Sequence, residues 1–294
     1  MKVNKVYLTI VHIIFLIMTV LFLLPFLIIV IISITPEAQI SSSGFSLIPN
    51  SIDFSAYKYL FADFGVIMRS IIWTVFLSIA TPILPIIAQA CMAYALNKKT
   101  KFLLRKPTNV LLTLAMFISG GMIPTYIVLT QWYHLGNNPL IYFFNSAWVS
   151  LWGVSLYKTF FKGVPPSLIE AAQIDGASEF KILMKIVVPM CTPILAMQYF
   201  TGVIGTWNSW QVSMIYMQRA EELWTFQYYL QRVMENSQII INALKGAGIR
   251  DLSSIPITTM KYAECALSVI PVLCLFPLIQ KYFAKGIAVG SVKG

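Results

Sequence analysis

Six long apolar stretches constrain this chain more than any other feature. They run roughly over 6–34, 66–96, 109–132, 141–161, 190–215 and 260–284. Each can supply about 20 helical residues, the length that crosses a hydrocarbon core of about 30 Å. The apolar residues come in runs rather than in stripes with a polar opposite face, so these are not the surface helices of a soluble domain. A membrane β-barrel would show segments of about ten residues with alternating polarity, and the chain has none. With 58% hydrophobic and only 11% charged residues, there are too few charges to cover a soluble protein of this length. The expected fold is all-α: a polytopic membrane protein of six transmembrane helices, forming one domain over 1–294.

Charge placement sets the expected orientation. The first stretch follows Met1-Lys2-Val3-Asn4-Lys5. It is too long for the apolar region of a signal peptide, and no small-residue cleavage site follows it. It reads as an uncleaved span that starts inside. On that placement the inner segments carry 14 Lys and Arg against three acids, and the outer segments carry 7 against 8. This is the positive-inside bias, with both termini cytoplasmic. It accounts for the formal net charge of +10 without a nucleic-acid partner. Two outer segments are long, 35–65 and 216–256, and Leu223 to Leu244 in the second has the pattern of an amphipathic helix. Cys91, Cys191, Cys265 and Cys274 form no CxxC pair and read as packing residues. His12 and His134 have no companions at metal spacing, so no metal site is expected.

The inner loop between the fourth and fifth stretches is the most informative segment. It reads Val164-Pro165-Pro166-Ser167-Leu168-Ile169-Glu170-Ala171-Ala172-Gln173-Ile174-Asp175-Gly176-Ala177-Ser178-Glu179-Phe180 and continues to Pro189. Pro165-Pro166 should end the preceding helix. Ser167 is expected to cap a short helix, with Glu170 three residues on completing a capping box. Gly176 should stop that helix in the left-handed conformation. A second helix should begin near Ser178, with Phe180, Leu183, Ile186 and Val187 at helical spacing. Ala171 and Ala172 leave one face with little bulk, so another protein could approach closely. Shape alone leaves a docking helix and an ordinary loop helix equally open.

The pattern E-A-A-x-x-D-G-A-S over Glu170–Ser178, followed by Ile186 to Pro189, resembles the EAA loop of ATP-binding-cassette importer permeases. The resemblance extends over nearly the whole chain. Lys285-Gly286 and Gly290-Ser291-Val292-Lys293-Gly294 are similar to the tail of the carbohydrate-type subfamily, and Trp207-Asn208-Ser209-Trp210 fits it too. The resemblance implies a permease subunit of the bacterial inner membrane that pairs with a second, homologous permease and with two ATPase subunits. Glu170, Ala171, Ala172, Asp175 and Gly176 would couple it to the ATPase. An extracellular binding protein would deliver a carbohydrate, expected to be an oligosaccharide. ATP and Mg would be bound by the ATPase and no cofactor by this chain, which has no G-x-x-x-x-G-K-[ST] motif. The chain is therefore expected not to be an enzyme.

Polar groups within apolar spans are costly and often functional. Asn145 and Trp148 in the fourth stretch, and Gln198, Tyr199, Trp207, Asn208, Trp210 and Gln211 in the fifth, offer the amides and flat aromatic faces that sugars need. Trp207 and Gln211 are four apart and would share a helical face. Tyr126, Thr130 and Gln131 are secondary candidates. Interface belts and helix–helix hydrogen bonds use the same residue types, so either role fits. Arg69, Lys261 and Glu264 near span ends fit snorkelling or contact with a partner. Gly120-Gly121 before Pro124 suggests a bend or close packing in the third stretch. A permease for a peptide or amino acid is the alternative within the class. A secondary transporter would carry intramembrane acids, and Glu264 alone approaches that description. An intramembrane enzyme would need a catalytic set such as HExxH, which is absent.

Overall fold

The computed structural model describes residues 5–97, 104–118, 120–145, 149–246, 256–271, 273 and 277, and the described residues are helical with no strand among them. They gather into two compact units, one within 1–67 and 229–273, the other within 68–228.

In the first unit, Lys5–Ser33 is one 29-residue helix. At about 1.5 Å per residue it is about 43 Å long, and its apolar side chains stand exposed along most of its length. Beyond it the chain is tied down by polar contacts. Ser33 Oγ and Tyr57 OH lie 2.8 Å apart, and the Asp53 amide donates to the Ile34 carbonyl at 2.9 Å. Glu37 caps the helix at 257–271 from a distance in sequence. Its carboxylate accepts the backbone N–H groups of Thr258 and Thr259 at 3.1 and 3.0 Å, and the Thr259 hydroxyl at 3.1 Å. The first amides of a helix have no partner within it, and a carboxylate there also suits the positive end of the helix dipole. The amphipathic segment forms the helix Phe226–Gly246.

Among the described residues two helical segments are long and apolar enough to cross a membrane, Val6–Ser33 and Phe64–Asn97, the latter made of Phe64–Ala80 and Ile83–Asn97 with a short turn between them. The other predicted spans depart from single straight helices. The third is two helices, Arg105–Phe117 and Met122–Ile127, the second running on through a π-helical turn to Trp132. The bend falls at the predicted glycines: Gly121 has φ +80°, and nothing within 4 Å would meet a Cβ there. The fourth, 141–161, is two helices, Ile141–Phe144 and Leu151–Phe161, the second begun afresh by Ser150, whose side chain accepts from the Gly153 N–H. Eleven residues make about 16 Å, short of a full crossing. The fifth, 190–215, enters through an 83° bend between Glu179–Met190 and Thr192–Trp207 and is broken again at 208–210 before Gln211–Tyr216. The sixth is helical over 257–271 and at 273 and 277; its remainder, Cys274 and the tail 285–294 lie outside the described residues.

Small residues let the helices of the second unit approach closely. At Gly153 the place of a Cβ is taken by the Gln89 side chain of the Ile83–Asn97 helix, and a Cβ on Gly202 would lie 2.7 Å from Pro82 Cβ. Near Gly202, Thr81 and Thr206 hydroxyls lie 2.9 Å apart, and Tyr199 OH donates to the Ile79 carbonyl at 3.0 Å. An apolar core of Leu96, Val154, Tyr157, Phe161, Ile182, Val187 and neighbours lies against the informative loop.

Candidate functional site

The loop is built differently at its two ends. The preceding helix closes at Phe161, with the Gly163 and Val164 amides turning back to the Phe160 and Phe161 carbonyls at 2.9 and 3.2 Å. Pro165-Pro166 therefore does not end that helix; it starts the next. Pro166 is the first residue of Pro166–Ile174, the cap position is Pro165, and no side chain caps it. The expected Ser167–Glu170 capping box does not form. The physical reason is that proline at the first helical position has its φ preset and lacks the N–H that a cap would satisfy. Ser167 is consequently inside the first turn, and Glu170 is left exposed.

The far end forms as expected. Gly176 has φ +74°. Its N–H donates to the Gln173 carbonyl at 3.1 Å, and the Ala177 N–H donates to the Ala172 carbonyl at 2.9 Å. These are the paired bonds of a Schellman motif, which satisfies the last carbonyls of the helix. Ser178 then caps the next helix, accepting from the Lys181 N–H at 3.4 Å. The predicted apolar face shifts there. Ile182, Leu183 and Val187 are buried, Ile186 is half-buried, and Phe180 stands 67% exposed. A π-helical turn over Leu183–Val187 widens the repeat and moves the buried face away from Phe180.

The result is a short, closed helix with two unlike faces. Ile169 and Ala172 pack on the core. Leu168 and Ile174 are 45% and 86% exposed, and with Phe180 and Met184 they give the loop an apolar outer side. Between the helix and the bundle lies a cavity of about 310 Å³, with Glu170 and Gln173 on one wall and Tyr94, Asn97 and Lys162 on others. Tyr94 OH donates to Glu179 Oε2 at 2.8 Å. Of the five coupling candidates, Glu170, Ala171, Asp175 and Gly176 are exposed and Ala172 is half-buried.

The pathway candidates are spread over several environments. Trp207 ends its helix and is 4% exposed, its ring 5.7 Å from that of Phe226. Gln211 opens the next helix and is exposed. The two therefore share no helical face, because 208–210 breaks the helix between them. Asn145 and Asn208 are exposed; Gln198, Tyr199 and Trp210 are half-buried. Trp148 lies outside the described residues. Tyr126 stacks on Tyr216 at 5.7 Å, Thr130 Oγ1 donates to the Tyr126 carbonyl at 2.7 Å, and Gln131 is exposed. Arg69 and Lys261 are exposed and Glu264 is half-buried. Among the described residues no group of three or more His, Cys, Asp or Glu could hold a metal ion.

A buried hydroxyl network went unread in the sequence. Ser213 Oγ lies 2.8 Å from Tyr142 OH and 2.9 Å from Thr225 Oγ1. Thr225 Oγ1 donates to the Ser209 carbonyl at 3.0 Å, and the Phe226 N–H donates to Thr74 Oγ1 at 2.7 Å. These bonds pin the segment after the fifth span to the Phe64–Ala80 helix. A signal was available: Ser70, Thr74 and Ser78 recur every fourth residue within an apolar run and are all buried.

The family model for the binding-protein-dependent transport system inner membrane component matches residues 86–289. The polygalacturonan/rhamnogalacturonan transport system permease protein YtcP of Bacillus subtilis (strain 168) is 30% identical over 284 residues, 92% of each chain. The melibiose/raffinose/stachyose import permease protein MelC of the same organism is 28% identical over 277 residues, 92% of this chain and 91% of that one. A chain in the crystal structure of a bacterial ABC transporter involved in the import of the acidic polysaccharide alginate superposes with a TM-score of 0.76 at 26% identity, covering 96% of this chain and 98% of that one.

Proposed function

The chain belongs to the family of inner-membrane components of binding-protein-dependent transport systems, and from that premise we propose that it is the permease subunit of an ATP-driven carbohydrate importer. It pairs with a second, homologous permease and with two ATPase subunits that bind ATP and Mg. An extracellular binding protein delivers the substrate. The chain forms one membrane domain of six spans, some of them broken helices, with both termini in the cytoplasm. The Lys and Arg bias supports that orientation. The carbohydrates that these relatives are named for transporting support the substrate class. An oligosaccharide would be passed by alternating access, the spans rocking between inward-open and outward-open as the ATPase pair closes.

One observation carries the coupling role. The helix Pro166–Ile174 is closed by a Schellman motif and followed at once by a capped second helix, while Leu168, Ile174 and Phe180 stand exposed beside it. Apolar side chains this exposed, on a locally fixed frame, suit a protein interface. In this reading Glu170, Ala171, Ala172, Asp175 and Gly176 form or support the surface that an ATPase cleft receives. Asn145, Trp148, Gln198, Asn208 and Gln211 remain candidates for the substrate path. Trp207, being buried, would act there by holding the turn at 208–210.

The test is co-purification of the ATPase with the permease. Ile174→Glu places a charge in the apolar surface and should reduce recovered ATPase at least about tenfold, as burial of an unpaired charge costs several kcal/mol. Gly176→Val should misdirect the second helix and reduce transport-linked ATP hydrolysis. Full ATPase recovery and activity in both variants would remove this loop as the coupling element.

A further inference from the structure

We propose that Tyr94 and Glu179 form a strut through which motion of the docking loop reaches the packed helices of the membrane domain. The proposal rests on the coupling role assigned to that loop.

The inner face of the docking helix has an uneven backing. Pro166, Ile169, Glu170 and Gln173 all look onto the cavity of about 310 Å³. Close packing transmits displacement, and a gap forfeits it. The Pro166, Glu170 and Gln173 side of the helix is therefore poorly placed to push directly on the bundle. Direct contact with the core is made by Ile169, Ala172 and Ala177.

Tyr94 stands in the wall of the same cavity and reaches across to the far end. Its hydroxyl donates to Glu179 Oε2 at 2.8 Å. Glu179 is the first residue of the helix capped by Ser178, just beyond the Gly176 turn. The bond thus meets the loop where docking helix and outgoing helix join. Tyr94 itself lies on Ile83–Asn97, which packs closely on Leu151–Phe161 at Gly153, where Gln89 fills the space a Cβ would take. A displacement at Glu179 is delivered through Tyr94 to two helices together. A hydrogen bond to a carboxylate is short and directional, and it adds a polar tie to the apolar contacts around Ile182 and Val187. In this proposal both act as positioning residues.

The experiment uses the complex purified with its ATPase subunits in lipid nanodiscs, with one reporter cysteine at Gln218→Cys on a background free of other cysteines. The rate of maleimide labelling is compared without nucleotide and after trapping with ATP, Mg and vanadate. Tyr94→Phe keeps the ring and removes the donor. It should shrink the nucleotide-dependent change in labelling rate by about two- to tenfold, the range that one hydrogen bond carries, with ATPase recovery and hydrolysis retained. Glu179→Ala should match it, and combining the two should add nothing further. Glu179→Gln keeps an oxygen acceptor and should preserve most of the response. A full response in both Tyr94→Phe and Glu179→Ala overturns the strut, and so does loss of ATPase recovery in either, which would make the pair a folding contact. Ile174→Glu in the same preparation separates the two levels. If it strips the ATPase while Tyr94→Phe responds fully, only the strut falls. If Ile174→Glu and Gly176→Val both leave recovery intact, the coupling role falls and the strut with it.

Discussion

Two glycines in this protein are required for opposite reasons, and substitution separates them. Gly176 has φ +74° and nothing within 4 Å of a built Cβ. Its constraint is conformational, since the left-handed region costs a side-chain-bearing residue about 1–2 kcal/mol. Asparagine visits that region more readily than other residues. Gly176→Asn should therefore retain the transport-linked ATP hydrolysis that Gly176→Val loses, as measured on the purified complex. At Gly202 the constraint is steric: an added Cβ would sit 2.7 Å from Pro82 Cβ, inside any real carbon–carbon contact. Gly202→Ala should cost about 1–3 kcal/mol by overpacking, read as a lower thermal unfolding midpoint in detergent. Gly176→Asn should leave that midpoint unchanged. The sequence exposed the first glycine and hid the second. Gly176 follows a helix and precedes a serine cap, a signature written in neighbouring residues. Gly202 is one more small residue in an apolar span, and its partner Pro82 lies far away in the chain.

At the scale of elements, what was legible depended on how local the cause is. The helix Pro166–Ile174, its glycine stop and its successor are legible in the sequence because caps act within a few residues. The start is ambiguous in the sequence because two N-terminal devices compete in one segment. Pro166 took the first helical position and left Ser167 no capping role. The breaks in the third, fourth and fifth stretches were hidden for a different reason: hydropathy registers that a run is apolar, not that it bends. The Glu37 cap was invisible, because it joins segments 221 residues apart. It yields a sharp expectation. Glu37→Ala removes the acceptor of two amides and one hydroxyl, and such a cap is worth about 0.5–2 kcal/mol. Hydrogen exchange of the Thr258 and Thr259 amides should speed by about two- to thirtyfold, while the amides of Pro166–Ile174 stay unchanged. Equal acceleration in both regions would mean that the substitution loosens the whole protein.

At the scale of the whole molecule, the charge bias gives the orientation its test. A cysteine at Lys101 should react with an impermeant maleimide only after the membrane is opened, and one at Lys245 should react from outside in intact cells. Labelling of position 101 in intact cells would reverse the assignment and place the proposed coupling loop on the wrong side of the bilayer. If the orientation holds, the 83° bend between Glu179–Met190 and Thr192–Trp207 acquires a mechanical meaning. It is an elbow closed by backbone hydrogen bonds, the Cys191 N–H donating to the Val187 and Val188 carbonyls at 3.0 and 3.1 Å. In the proposed transport cycle two arms set nearly at right angles would act as a bell crank: a rise or fall at the tip of one arm would become a sideways sweep at the tip of the other. The upper arm has 16 residues, about 24 Å at helical rise. Each 10° of rotation about the elbow carries its far end about 4 Å sideways, enough to part or join side chains at the opposite face of the membrane from a modest tilt at the cytoplasmic one.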